Sequence, residues 1–328
     1  MRKANSEIVP IKVLRLLEEE TDAEHPMTTS SLSNELNAAG LPSNRRIIYH
    51  AISILKENGW DIRYIRTKEK SGYYLNRSFT LGEINFLANE CARSNALSID
   101  LTRQIVEKVS RLLSIHERNA LFIQPLSTGK TTNPMVMEIT STLLKAISLG
   151  ADISFLYYDI TIARTKKYRR QANRYIGTPR AIVNQNGRMY CVIYSATHAN
   201  FANYRIDKME SVEINGTAKE ICPFDIEDHI RSSFLMYYGS PQTVTVRFNI
   251  DMASIVMDQF GQDDIIITSV NETDFTAAIK TAITPTFIGW LLQFYDRATA
   301  ISPGKLVDSL LQIADVLKKT YKKETSNE

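Results

Sequence analysis

After a helix ending at Gly150 the apolar pattern of this chain turns from mainly helical to mainly strand-like spacing, and that change restricts the folds open to it. Before the glycine, apolar residues recur every three or four positions, as on the buried face of a helix; after it they alternate in short runs, as in half-buried strands. A chain of 328 residues also exceeds what one core usually holds, so two or three domains are expected. The helical part reads "EIVPIKVLRLLEEET", "TTSSLSNELNAAG" and "SNRRIIYHAISILKENGW", then two strand-like pieces, "DIRYIRT" and "GYYL", around the turn "KEKSG". Helix, helix, helix, hairpin is the order of a winged helix-turn-helix. Two more helices follow over 79–115, the first opened by a Thr80-x-x-Glu83 capping box and the second by Ser98. The turn formers of "ALFIQPLSTGKTTNP" mark a domain boundary.

The third helix carries the sharpest local signal. Ser43 reads as its N-cap, and Arg45 and Arg46 then fall in the first turn, where a cation opposes the macrodipole. At about 100° per residue, Ile47, Ile48, Ala51, Ile52, Ile54 and Leu55 share one arc and Arg45, Arg46, Tyr49, His50, Ser53, Lys56 and Glu57 the other. One arc is core. The other presents side chains that read base edges or grip phosphate, and phosphates would neutralise the misplaced arginines. Ser43, Asn44, Arg45, Arg46, Tyr49, His50 and Lys56, with Arg66, Lys68 and Lys70 at the hairpin tip, are therefore the candidate DNA-binding residues. From Leu41 to Arg77 eight basic residues face three acids, although the whole chain stands at only +3.

Beyond Gly150, "ISFLYYDI", "RYIGTPRAIV", "RMYCVIYS" and "NYRIDKMESVEI" read as strands, with a type I′ hairpin turn at Asn186-Gly187. A small, partly closed β-barrel is expected. Between Ala151 and Glu210 ten basic residues face four acids. Arg188, Tyr190 and Val192 share one side of a strand; Met189, Cys191 and Ile193 share the other, which is core. Arg180, Arg188, Arg205 and Lys208 can line a cationic site for a phosphate-bearing ligand or single-stranded nucleic acid, with Tyr157, Tyr190 and Tyr204 as stacking surfaces and His198 beside it. Equally, Arg205 can pair with Asp207 and the tyrosines can be core. Residues 243–322 read strand, helix, strand, strand, helix, strand, helix, which is the ferredoxin-like order followed by a terminal helix.

Signals for catalysis are weak, and no enzyme, cofactor or metal is expected. "STGKTT" has Gln124 where a phosphate loop requires Gly, and Pro134 interrupts the helix that should follow. The five histidines show no metal-ligand spacing. Cys91, Cys191 and Cys222 stand far apart, as reduced core residues do. The N-terminus lacks a signal-peptide pattern and no apolar run spans a bilayer, so a cytoplasmic protein without membrane partners is expected.

The chain resembles the WYL-domain transcriptional regulators. The likeness is carried by "SNRRIIYHAISILKENGW" with "SGYYL", by "GTPRAIVNQNGRMYCVIY" with "NYRIDKM", and by "TFIGWLLQFYDRATAISP". Met189-Tyr190-Cys191 stands where the family has Trp-Tyr-Leu, and Lys208 replaces the second arginine of Arg-x-Asp-Arg. The resemblance implies an α+β multidomain chain: a winged helix-turn-helix over 1–77, a helical linker over 78–133, a small SH3/Sm-like β-barrel (the WYL domain) over 134–240, and a ferredoxin-like extension over 241–328 that serves in dimerisation. It further implies a homodimeric, DNA-binding repressor on a two-fold operator, whose barrel senses a nucleic-acid fragment or nucleotide-like effector. The alternative is a nucleic-acid-processing accessory protein that binds single strands through the barrel and docks a partner protein through the winged helix.

Overall fold

The computed structural model describes residues 2–217, 223–231, 233–234, 237–238, 241–261 and 265–324; Cys222, and Ser240 at an expected domain boundary, lie outside them. The chain divides into two compact units, residues 1–134 and 135–328.

The first unit begins with α1 (Arg2–Glu20), α2 (Thr29–Ala38) and α3 (Arg45–Glu57), followed by the hairpin β1 (Ile62–Arg66) and β2 (Ser71–Leu75). Ile48, Ala51, Ile52 and Leu55 of α3 are buried among Val9, Val13 and Leu17 of α1 and Leu32 and Leu36 of α2. Each large side chain so enclosed contributes about 1.5–3 kcal/mol. The hairpin is pinned where Met27 exchanges two backbone hydrogen bonds with Tyr73. That approach requires Gly72, since a Cβ there would sit 2.5 Å from the Met27 carbonyl.

Three helices complete this unit: α4 (Leu81–Arg93), α5 (Ile99–Ser110) and α6 (Ile115–Asn119). The Thr80–Glu83 capping box and the Ser98 cap are both present. A buried carboxylate ties α6 to the turn after α1. Asp22 accepts from the Ser114 hydroxyl (2.6 Å) and from the Glu24 and His25 amides, and His25 stacks on His116 at 3.9 Å. Burial pushes the Asp22 pKa up, but these hydrogen bonds outweigh it and hold the pKa below its ordinary value. Lys130 of "STGKTT" donates to the Cys91 and Ser94 carbonyls at the end of α4, which is a capping role.

The second unit opens with α7 (Val136–Leu149), which stops at Gly150 in the left-handed conformation. Then come β3 (Ala151–Ile160), β4 (Lys166–Tyr168), β5 (Tyr175–Gln185), β6 (Arg188–Ser195), β7 (Asn200–Arg205) and β8 (Met209–Thr217). The stretch "NYRIDKMESVEI" is thus two strands, separated by a 3-10 turn at Ile206–Lys208. The six strands form one antiparallel sheet in the order β4-β3-β5-β6-β7, with β8 on β3. Register shifts in the β3–β8 and β5–β6 pairings let it curl into a half-barrel around α7. Val136, Ile139, Leu143 and Ala146 of the helix pack on Ile153, Phe155, Cys191, Ile193 and Met209. Asn186 and Gly187 take positive φ angles (50° and 67°), as a type I′ turn requires.

The remainder comprises α8 (Ile226–Arg231), β9 (Ser233–Phe234), β10 (Tyr237–Tyr238), β11 (Pro241–Asn249), α9 (Ala253–Phe260), β12 (Ile265–Val270), β13 (Asp274–Ala282), α10 (Pro285–Leu292), β14 (Ala298–Ser302) and α11 (Gly304–Glu324). From β11 onward the strands form a second antiparallel sheet, ordered β12-β13-β11-β14. Phe248, Phe275, Phe287 and Trp290 meet in its core.

Candidate nucleic-acid and ligand interfaces

On α3 the outward arc is solvent-exposed as the apolar spacing requires: Asn44, Arg45, Arg46, Tyr49, His50, Ser53, Lys56 and Glu57 all face out. The cap is shifted by one residue from expectation. Asn44 caps the helix, accepting from the Ile47 amide at 3.0 Å, so Arg45 and Arg46 occupy the first two helical positions with no acid beside them. That placement costs about 0.3–1 kcal/mol per cation. Ser43 is buried instead, donating to Asn37 Oδ1 while its carbonyl accepts from Ser33, so it fastens α2 to α3 and is withdrawn from any ligand.

Neighbouring contacts order part of this face. Arg45 Nε donates to the Tyr49 hydroxyl (2.8 Å), and from α3 onto the hairpin Tyr49 meets Tyr73 edge to face while Tyr64 lies tilted against Tyr73. Of the basic residues between Leu41 and Arg77, three are otherwise engaged. Arg63 forks onto Asp61, Lys70 pairs with Glu24, and Arg77 is half-buried at the end of α1, donating to the Leu17, Glu18 and Thr21 carbonyls. Arg46, Arg66 and Lys68 make no ion pair among the described residues. The exposed cationic set is therefore Arg45, Arg46, Lys56, Arg66 and Lys68, with Lys70 half-withdrawn.

In the curled sheet, register separates the expected ligand residues onto two sides. Tyr190 lies opposite Arg205, whereas Cys191 lies opposite Tyr204. Arg188, Tyr190 and Arg205 therefore face away from the α7 side, while Tyr204 and Tyr157 belong to the core with Phe155 and Tyr175. The eight residues do not form one site. The outward side is partly covered, because Val192, Ala181 and Val183 are buried there under Phe201 and Phe224, while the Arg188 and Arg205 side chains stay partly exposed.

Each expected cation on the sheet has a structural context of its own. Asp207, 6% exposed, holds both arginines: Arg205 in a two-bond fork (3.0 and 2.7 Å) and Arg188 at 3.3 Å. Burial lowers the Arg188 pKa and the Asp207 hydrogen bonds raise that of Arg205. Lys208 pairs with Asp159, which Arg169 also grips; hydrogen bonds from Arg169, then Lys208, bring the Asp159 carboxyl down to about 2. Arg180 occupies the register shift between Pro179 and Ala181. Tyr157 is core, its hydroxyl accepting from the Arg205 amide, and burial drives its pKa up to about 12. His198 and Tyr204 meet in a separate cleft of about 190 Å³ on the α7 side.

Residues 138–214, from within α7 to within β8, match the family model of the WYL domain. The chain carries a WYL domain. It embraces both arginines, their aspartate and the aromatic core. No curated protein matches the sequence. Among solved structures the chain is similar to proteasome accessory factor B/C (PafBC) of Arthrobacter aurescens, at 14% identity and a TM-score of 0.29, over 93% of this chain and 47% of that one. It thus spans about half the length of that relative. A CRISPR Cas-related protein is similar at 12% identity and a TM-score of 0.38, over 98% of this chain and 92% of that one. Among the described residues no helix is long and apolar enough to cross a membrane, and no group of three or more His, Cys, Asp or Glu is placed to hold a metal.

Several residues of the WYL domain escape sequence reasoning. Tyr175 joins the Phe155–Tyr157–Tyr204 cluster, a role that only the β3–β5 pairing reveals. Arg169 and Arg170 lie over the Tyr157 and Tyr175 rings, at 5.2 and 4.1 Å. Arg170, Gln171 and Ala172 hold positive φ angles of 50°, 53° and 63°, costing on the order of 1–2 kcal/mol each. No sequence cue marks three successive non-glycine residues for that conformation.

Proposed function

We propose that the chain is a sequence-specific DNA-binding transcriptional repressor. Residues 2–77 act as a winged helix-turn-helix: α3 enters a major groove, where Arg45, Arg46, Tyr49 and His50 meet base edges and phosphates, while Lys56 and the hairpin residues Arg66, Lys68 and Lys70 contact the backbone beside it. The observation that carries this reading is the exposed face of α3, whose two first-turn arginines have no acidic partner in that turn. A phosphate backbone supplies the missing counter-charge and also meets the free amides of the helix end.

The WYL domain serves as the sensor, taking a nucleic-acid fragment or nucleotide-like effector whose phosphate is received by Arg188 and Arg205. Asp207 is its built-in competitor, since an incoming phosphate must share the arginines that this carboxylate already holds. The last four strands support a ferredoxin-like reading of 241–328, with the protein a homodimer on a two-fold operator. DNA affinity measured against salt tests the assignment. A steep fall of log K with log salt is expected, shallower by about two in Arg45→Ala/Arg46→Ala. A salt-independent affinity would remove the basis of the reading.

A further inference from the structure

The cleft on the α7 side of the WYL domain is built differently from the arginine pair. Tyr175 stacks on Phe155 (5.4 Å, 18° between planes), and the Arg170 guanidinium lies over the Tyr175 ring at 4.1 Å. Tyr204 meets Tyr175 edge to face at 5.5 Å, and Ser195, His198 and Asn200 supply donors and acceptors. At about 190 Å³ the space is smaller than the ~300–1,000 Å³ that encloses a whole drug-sized ligand, so it suits one ring system. Arg170 is the one lysine or arginine among the described residues lining it, and its charge is directed at a tyrosine face. The cleft is thus suited to a neutral planar group rather than to a phosphate.

We propose that this cleft binds a single planar heterocycle with a hydrogen-bonding edge, of the nucleobase class, between the aromatic wall of Tyr175 and Tyr204 and the polar group Ser195, His198 and Asn200. Tyr204 and Arg205 are consecutive residues whose side chains leave opposite sides of β7. A base held by the first and a phosphate held by the second lie back to back across one strand, so a ligand using both wraps the strand. The segment Arg169–Ala172 closes one side. Its three left-handed residues are held by Arg169 on Asp159 and Tyr157 and by Arg170 on Tyr175, which couples the order of this strap to the aromatic wall.

The inference rests on the reading of the domain as an effector sensor, and the test separates the two. Equilibrium dialysis of the full-length protein would use adenosine, guanosine, cytidine and thymidine, then a mixed-sequence single-stranded oligonucleotide and its fully abasic counterpart. At least one nucleoside is expected to bind, about tenfold more weakly in Tyr204→Leu and in Arg170→Ser. The intact oligonucleotide should bind more tightly than the abasic chain. Arg170 and Asn200 are exposed, so Arg170→Ser and Asn200→Ala report on the cleft even if Tyr204→Leu fails to fold. If no nucleoside binds and both oligonucleotides bind equally, losing affinity only in Arg188→Ala, the ring site is refuted while the sensor reading stands. If none of the probes binds, both are refuted.

Discussion

Removing the carboxylate of Asp207 should destabilise the second unit more than most single substitutions, through a mechanism visible in the structure. Asp207→Ala deletes three charge-assisted hydrogen bonds and leaves two guanidiniums facing the same space. Breaking a fully buried ion pair from one side costs about 3–5 kcal/mol. Here the arginine side chains remain 20% and 28% exposed, so part of their hydration returns and the loss falls to about 2–3 kcal/mol. For a unit of this size each kcal/mol moves the midpoint by about 2–4 °C, so thermal unfolding should shift down by roughly 4–12 °C. The two units can melt separately, so calorimetry that resolves both transitions is the suitable assay. Asp207→Asn, which retains one acceptor oxygen, should lie between the variant and the wild type. The same variants should bind inorganic phosphate more tightly, because the arginines lose their internal competitor. An Asp207→Ala midpoint within about 1 °C of wild type, with unchanged phosphate binding, would refute the view that this carboxylate organises the pair.

Three further outcomes follow from individual contacts. Asn44→Ala removes the α3 cap and should cost about 0.5–2 kcal/mol in chemical unfolding of the first unit, whereas Asn44→Ser should cost much less. Gly72→Ala forces a Cβ against the Met27 backbone and should destabilise by about 1–3 kcal/mol while weakening DNA binding through displacement of the hairpin. The Asp159 carboxyl lies below its ordinary value of 3.8, at about 2, so its contribution is complete above pH 4 and is lost as pH falls through about 2. The midpoint difference between wild type and Asp159→Asn should accordingly shrink on acidification, and a difference that grew toward pH 2 would contradict the assigned pairing.

How far the sequence reveals the structure depends on the range of the forces involved. The two arcs of α3, the Thr80 and Ser98 caps, the Asn186-Gly187 turn and the core side of β6 follow from periodicity and local hydrogen bonding, and the structure has each of them. Ser and Asn are near-equal caps, so local sequence does not separate Ser43 from Asn44; what decides is Asn37 on α2, which takes the Ser43 hydroxyl. Charge and sequence proximity group Tyr204 with Arg205, but the β6–β7 register sends them to opposite sides. Pairing of Lys70 with Glu24 and of Lys208 with Asp159 joins residues 46 and 49 positions apart, beyond any local rule. The left-handed strap at Arg170–Ala172 is held by tertiary cation–π contacts, so neither composition nor spacing announces it.

The role assigned to α3 is tested most directly by sequencing the DNA fragments that the purified full-length protein retains from a random pool, for wild type and for Arg46→Ala/His50→Ala. An enriched pair of two-fold-related half-sites, spaced by whole helical turns, is expected, with base preferences that relax in the double variant. Retained fragments without a shared sequence, or a motif unaltered by the two substitutions, would contradict it.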